Sequence, residues 1–466
     1  MQDGGVGLAP GPSASVVPPA PRRGRRMALV AAIAVAVFLA GGVGLWRTVR
    51  PTPSPNVTTP DRQSTALAGN PVIPSGSLAQ EIASLQTQLR SSPGDWRSFA
   101  NLGLAYVAQA RITADPSYYP KAQGVLERSL KLDTAQNDVG LTGMGALSLA
   151  RHQFAQALAW GERARRINPY GDYVYGVIGD AQVELGRYPQ AFATFQHMVN
   201  LKPNLSSYAR VSYARELRGN VSGALGAMRL AYQAAGNAPD ASWASFQLGE
   251  LYWNGGRPVL AERMYRRAVE LDPKYVPPYA GLAKIAWAEG HDAQATRRYR
   301  SVVARYPLPE YVIALGDLYA TTGHHALAER EYALVRTEEK LFQANGVNVD
   351  LELALFDADH GNVRAGLTAA HQEWGRRHSI LVADGLAWAL YHSGRAREAL
   401  PYVHHALSRG MRNALLYFHA GMIEKAIGDT TAARRDLRTA LAINPHFSIL
   451  YATTAARTLR ALGGGA

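Results

Sequence analysis

Apolar residues follow two patterns along this chain. Residues 27–46, MALVAAIAVAVFLAGGVGLW, form one unbroken run of twenty without a charge. From near Leu78 onward, apolar residues recur every three or four positions in short stretches punctuated by Gly and Pro. That spacing predicts amphipathic helices ending at caps and breakers, and strand-type alternation is missing, so the pattern predicts an all-α fold.

The helical stretches repeat. One unit runs Leu248-Gly249, Tyr252, Gly256, Ala261, Tyr265, Ala268, Pro273, and the next has Leu282-Ala283, Gly290, Ala295, Tyr299 and Pro307, each 34 residues on. Glycines 186, 219, 256, 290, 323, 361, 394 and 428 are spaced 33, 37, 34, 33, 38, 33 and 34. Small residues let two antiparallel helices approach closely. A Gly after the first helix supplies a left-handed cap, and a Pro after the second stops the hydrogen-bond ladder. One helix pair cannot bury its apolar face, but about ten in series build a continuous core in which each unit contacts only its neighbours.

These positions resemble the tetratricopeptide repeat family from near Leu78 to the end. Its Leu-Gly and Tyr occur as Leu102-Gly103 with Tyr106, Leu248-Gly249 with Tyr252, and Leu315-Gly316 with Tyr319. Its small residue in the second helix occurs as Ala122, Ala157, Ala191, Ala224, Ala261, Ala295, Ala328, Ala399 and Ala433. Its closing proline occurs as Pro93, Pro169, Pro203, Pro273, Pro307 and Pro445. The resemblance implies a right-handed superhelical solenoid of about ten pairs. Three irregularities stand out. Residues 111–120 lengthen the first unit and carry Tyr118 and Tyr119. The stretch 336–350, before a unit with Leu353-Ala354 in place of Leu-Gly, is too long for a plain connector and marks a kink or joint. Residues 447–462 and 78–89 look like capping helices, the latter starting at Ser77.

The run 27–46 spans about 30 Å as a helix, which matches a bilayer core. Arg22, Arg23, Arg25 and Arg26 precede it against Arg47 and Arg50 after it, so the cationic bias places the amino terminus inside and the remainder outside. A cleaved signal peptide competes. The run is longer than the usual 7–15 or so residues, and a clean Ala-x-Ala site is missing because Phe38 stands two before Ala40, so an uncleaved anchor is expected. Six prolines between 51 and 77 predict an extended stalk. The expected organisation is a disordered cytoplasmic tail (1–26), a single transmembrane signal-anchor helix (27–46), a Pro-rich stalk (47–77) and the solenoid with its capping helices (78–466). That is a single-pass cell-membrane protein with its repeats extracytoplasmic.

Composition removes several functions. Cysteine is absent, which excludes disulfides, thiol catalysis and cysteine-ligated metals. The formal charge of +13 is spread without a basic stripe, so no nucleic-acid partner is expected. Nucleophile-elbow, zinc-helix, phosphate-loop and dinucleotide motifs are missing, and adjacent histidines such as 324-325 and 404-405 point about 100° apart on a helix. No enzyme activity, metal, cofactor or small-molecule substrate is expected. Arg outnumbers Lys by 42 to 7, a usage of GC-rich bacterial genomes, and with the anchor it points to a membrane-anchored bacterial form of the repeat family.

The first helices of such an array line a concave surface. Trp243, Phe246, Glu250 and Trp253 share one helix side at spacings of 3, 4 and 3; the next unit offers Pro277, Ala280, Lys284 and Trp287. Asp384, Trp388 and Tyr391 follow, then Phe418, Met422 and Lys425. Aromatic residues suit capture of peptide segments or partner proteins; the competing reading packs them between repeats. The carboxylate clamp of chaperone-binding relatives needs Lys and Asn on consecutive inner faces, where this chain has Phe246, Glu250, Ala280 and Lys284. The expected function is a protein-interaction scaffold. The alternatives are a recognition arm for a separate envelope enzyme, of glycosyltransferase or assembly type, and an envelope-glycan binder.

Overall fold

The turn glycines set the fold. All eight of the evenly spaced ones adopt positive φ, from 68° at Gly256 to 91° at Gly428, a region that only Gly enters without a steric penalty. Each ends a first helix, most in a doubly bonded cap: Gly186 N–H donates to the Val183 carbonyl and Arg187 N–H reaches back to Gln182 at 2.7 Å, a pattern repeated after Gly256, Gly290, Gly323 and Gly394.

The computed structural model describes residues 78–463, and in them 22 helices and no strands. The tail, membrane-spanning run and stalk expected over 1–77 lie outside the described residues, as does Ser77. Among the described residues no helix is long and apolar enough to cross a membrane. Ten antiparallel pairs, from Trp96–Thr113 with Tyr118–Leu132 to Ala414–Ala426 with Thr430–Ile443, are flanked by single helices Leu78–Ser91 and Ala452–Ala461. The chain is an all-α repeat solenoid with a lone helix at each described end.

Within a pair the small residues do what their spacing predicts. A Cβ added at Gly249 would lie 2.5 Å from the Tyr265 ring, and one at Gly316 2.5 Å from that of Tyr332. Ala122, Ala157, Ala191, Ala224, Ala261, Ala295, Ala399 and Ala433 are completely buried. In the pairs of Gly249 and Gly316 the first helix thus lies against the bulky residue of its partner.

The expectation that each unit contacts only its neighbours is corrected. Residues 191 to 196 apart touch across the array. Tyr306 Oη donates to the Arg111 carbonyl. Tyr188 Oη accepts from the Ile380 N–H at 2.8 Å, and Asn444 Nδ2 donates to the Trp253 carbonyl at 2.9 Å. Arg377 bridges Glu184 of the earlier turn and Glu373 of its own. Between five and six repeats of 34 residues therefore make one superhelical turn, and successive turns lie directly against each other. The physical reason is again glycine: a Cβ at Gly186, Gly219 or Gly256 would lie 2.2–2.4 Å from the carbonyl oxygens of His378, Gly410 and Ile443. Bare backbone is what lets the turns close up.

Two of the sequence irregularities sit in this junction. Residues 336–350 are not a loop: the helix His325–Ala344 runs on for 20 residues, and Phe342, Val347 and Val349 bury against Leu102, Tyr106, Tyr119 and Leu126 of the first pair. In the 111–120 insert, Tyr119 packs into that same cluster, while Ala114 buries with Leu308 and Tyr311 of the next turn. His152 stands where the turn glycine of its pair is due, at φ 57°. Its Nδ1 meets the Asn348 carbonyl at 2.6 Å. Burial pulls its pKa down to about 4, so the ring is neutral.

Buried carboxyls near the junction carry the opposite shift. Burial pushes Glu338 up to about 9, Glu339 to about 8 and Glu352 to about 7. Among the described residues, neither carboxylate oxygen of Glu338 has a hydrogen-bond partner.

Two outcomes are expected. Gly290→Ala, where nothing lies within 4 Å of the added Cβ, incurs only the φ penalty of about 1–2 kcal/mol. Gly186→Ala adds a backbone collision and costs roughly 3 kcal/mol or more, read as a clearly larger fall in the thermal midpoint. The second outcome concerns pH. Carboxyls that titrate near 4.5 unfolded and at about 8–9 folded make the unfolded state the poorer proton binder across that window, so stability falls as pH rises through it. His152 acts in the opposite sense only between about 4 and 6.5. Thermal midpoints should therefore decline from pH 6.5 to 9, and Glu338→Gln should flatten the decline.

Candidate binding groove

The first helices of three successive pairs wall a cavity of about 430 Å³. Ala238–Asn254 contributes Trp243, Phe246 and Glu250; Pro277–Ala288 contributes Ala280 and Lys284; Pro309–Thr321 contributes Glu310, Tyr311 and Ala314. The fourth wall comes from one superhelical turn earlier, where Arg111 and Ile112 close one side against Tyr275 and Tyr306. A second cavity of about 200 Å³ lies beyond Trp243, Gln247 and Glu250, which line both; Glu184, Arg210, Glu216, Glu352 and Arg377 border it.

Charge within the larger cavity is mostly settled. Lys284 Nζ contacts both oxygens of Glu250, at 2.7 and 2.8 Å, and Tyr265 Oη donates to the same carboxylate at 2.6 Å. Because Glu250 and Lys284 are one repeat apart, this pair ties consecutive first helices together as well as neutralising the wall. Burial pushes Glu310 up to about 7, partly offset by its hydrogen bond with Tyr311. Burial likewise pulls Arg111 down to about 10, which leaves the guanidinium charged at neutral pH. In the smaller cavity Glu216 is pushed up to about 7 by burial.

Of the nine predicted groove residues, the structure brings Trp243, Phe246, Glu250 and Lys284 together around one cavity. Trp253 is instead buried with Ala261, Tyr265, Leu282 and Ile285, its carbonyl capped from the next turn by Asn444. Trp287 is half-buried, edge-on to His446 at 6.1 Å, outside the cavity lining. Trp388 and Phe418 are 1% and 0% exposed. They belong to the core that receives the final helix: Trp388 Nε1 donates to Asp359 at 2.6 Å, its ring stacks on His419 at 3.9 Å, and Phe418 stacks on Tyr451 at 5.0 Å. Tyr391 stacks on Trp388 at 4.9 Å. Helical spacing placed these aromatics on one side of their helices, but near the end of the array that side is covered by the terminal cap.

Sequence reasoning missed Arg111, Ile112, Tyr275, Tyr306, Glu310 and Tyr311. The one available signal was the insert beginning at Arg111. Nothing in the sequence says that it meets a helix almost two hundred residues later. Among the described residues, no group of three or more His, Asp or Glu side chains is placed to hold a metal ion.

The tetratricopeptide repeat family profile matches residues 244–275 and 414–447. No curated protein matches the sequence. Among solved structures, a thermophilic repeat protein of Thermus thermophilus is 21% identical, covering 41% of this chain and 99% of that one, at a TM-score of 0.37. A tetratricopeptide repeat protein from Parabacteroides merdae is 16% identical, covering 56% and 98%, at 0.32. Human IFIT1, as a dimer with PPP-AAAA, is 13% identical, covering 78% and 85%, at 0.43. Two of the helix pairs described above, at 244–275 and 414–447, are thus similar in sequence to the tetratricopeptide repeat family.

Proposed function

We propose that this chain is a scaffold that holds partner proteins through short peptide segments entering the cavity beside Phe246, anchored in a membrane by residues 27–46 with its repeats on the extracytoplasmic side. The observation that carries this reading is the cavity itself. It is walled by consecutive first helices, lined by Trp243, Phe246, Tyr275, Tyr306 and Tyr311, and sized within the range of about 300–1,000 Å³ typical of ligand sites. It has room for a few side chains rather than for a helix about 10 Å across, so an extended segment fits better than a partner helix. Aromatic walls give large contact area at small entropic cost, and such residues dominate binding energy at interfaces. The rows of repeats support recognition rather than chemistry, and no residue is assigned a catalytic role. The anchor and its orientation rest on the apolar run and the arginines before it.

Two measurements test this. Co-purification from native membranes should recover a partner that Phe246→Ala loses by roughly tenfold or more, while Tyr170→Ala, at an 81% exposed position far along the chain, leaves it unchanged. Equal recovery with both variants would remove the cavity from the reading. Protease added to intact spheroplasts should digest the repeats, and in inside-out vesicles should spare them.

A further inference from the structure

Arg111 differs from Arg210 and Arg377, the arginines buried inside the array. Arg210 pairs with Asp180, and Arg377 with Glu184 and Glu373. The Arg111 side chain has neither a carboxylate nor a hydrogen-bond partner among the described residues; only its backbone carbonyl is engaged, by Tyr306. Its surroundings are Tyr119, Tyr275, Tyr306 and the like-charged Arg210, and burial pulls its pKa down. An arginine lining a cavity with no carboxylate paired to it bears a desolvation cost that a ligand can relieve. The cavity beside it is largely apolar, with Ile112, Phe246, Val276 and Leu308 in its lining.

We propose that this cavity is a binding site for an apolar group carrying a single carboxylate, with Arg111 as its anchor. One guanidinium matches one carboxylate in charge and in bidentate geometry. A dianion such as a phosphate monoester is disfavoured, because Asp240, Glu250, Asp272 and Glu310 also line the space, against Lys274 and a Lys284 already taken by Glu250. A cation is disfavoured by Arg111 itself. The apolar body lies along Phe246, Tyr275 and Leu308, where burial supplies affinity in proportion to area. Free organic acids and acidic side chains of a peptide share this chemistry, and the site holds whether or not the protein has partner proteins.

The test is isothermal titration of the purified full chain with three probes: 4-phenylbutyrate, the matched cation 4-phenylbutylammonium, and the capped peptide acetyl-LEL-amide. One equivalent of the acid, the peptide or both should bind, and the ammonium should not. Binding of the acid alone identifies a free organic acid as the source; binding of the peptide identifies an acidic side chain. Arg111→Met should weaken binding roughly 10- to 100-fold, the range for losing a hydrogen-bonded charge, and Arg111→Lys should restore part of it. Ile112→Glu, at a half-exposed position suited to substitution, sets a carboxylate beside Arg111 and should abolish binding without unfolding the chain. The proposal is overturned if neither acid nor peptide binds, if the ammonium binds as well, or if Arg111→Met and Ile112→Glu bind as the parent does.

Discussion

The structure depends on the direct seating of one superhelical turn on the next. Helix pairs stacked by local rules alone give a solenoid whose pitch is free to vary. Here the pitch is set by backbone approaching backbone at Gly186, Gly219 and Gly256. It is locked by a short set of bonds that span 191 to 196 residues: Tyr306 with Arg111, His152 with Asn348, Arg377 with Glu184, Tyr188 with Ile380, and Asn444 with Trp253. A repeat protein of this kind is no longer a sum of nearest-neighbour terms. Loss of one junction contact propagates to repeats that are remote in sequence.

The same seating makes the cavity. Three first helices alone would offer an open wall, and Arg111 and Ile112 from the preceding turn convert it into a bounded space. This accounts for the unusual state of Arg111, a charge carried into a partly closed site by a contact that involves its backbone rather than its side chain. It also accounts for the buried carboxyls. Glu352 and Glu184 lie buried where the turns meet, and both are pushed up mainly by burial. Arg377, between Glu184 and Glu373, offsets part of that cost, since a buried charge is tolerable only when paired.

His152 shows how such a junction reads in sequence. Glycine is the easy residue at a left-handed cap, and His there carries steric strain. The strain is offset because the imidazole, stacked near Phe154 at 5.7 Å, reaches a carbonyl of the next turn. The insert at 111–120 and the long stretch before Asp350 were both visible as departures from the repeat, whereas the His at 152 was not singled out. Each proved to be a place where distant turns touch.

Local rules wrote most of the architecture into the sequence. The 34-residue spacing, the turn glycines, the buried alanines and the closing prolines determine helix pairs and their stacking, because caps, breakers and close helix approach act over a few residues or between adjacent helices. Which aromatics face open space was decided only in three dimensions. Trp388 and Phe418 occupy the same side of their helices as Phe246 does of its own, yet the terminal helix covers two of them and leaves the third on a cavity. Arg111 entered that cavity because the superhelical pitch brings residue 111 beside residue 306. Pitch is a sum of small angles over many repeats, and no single stretch of sequence contains it.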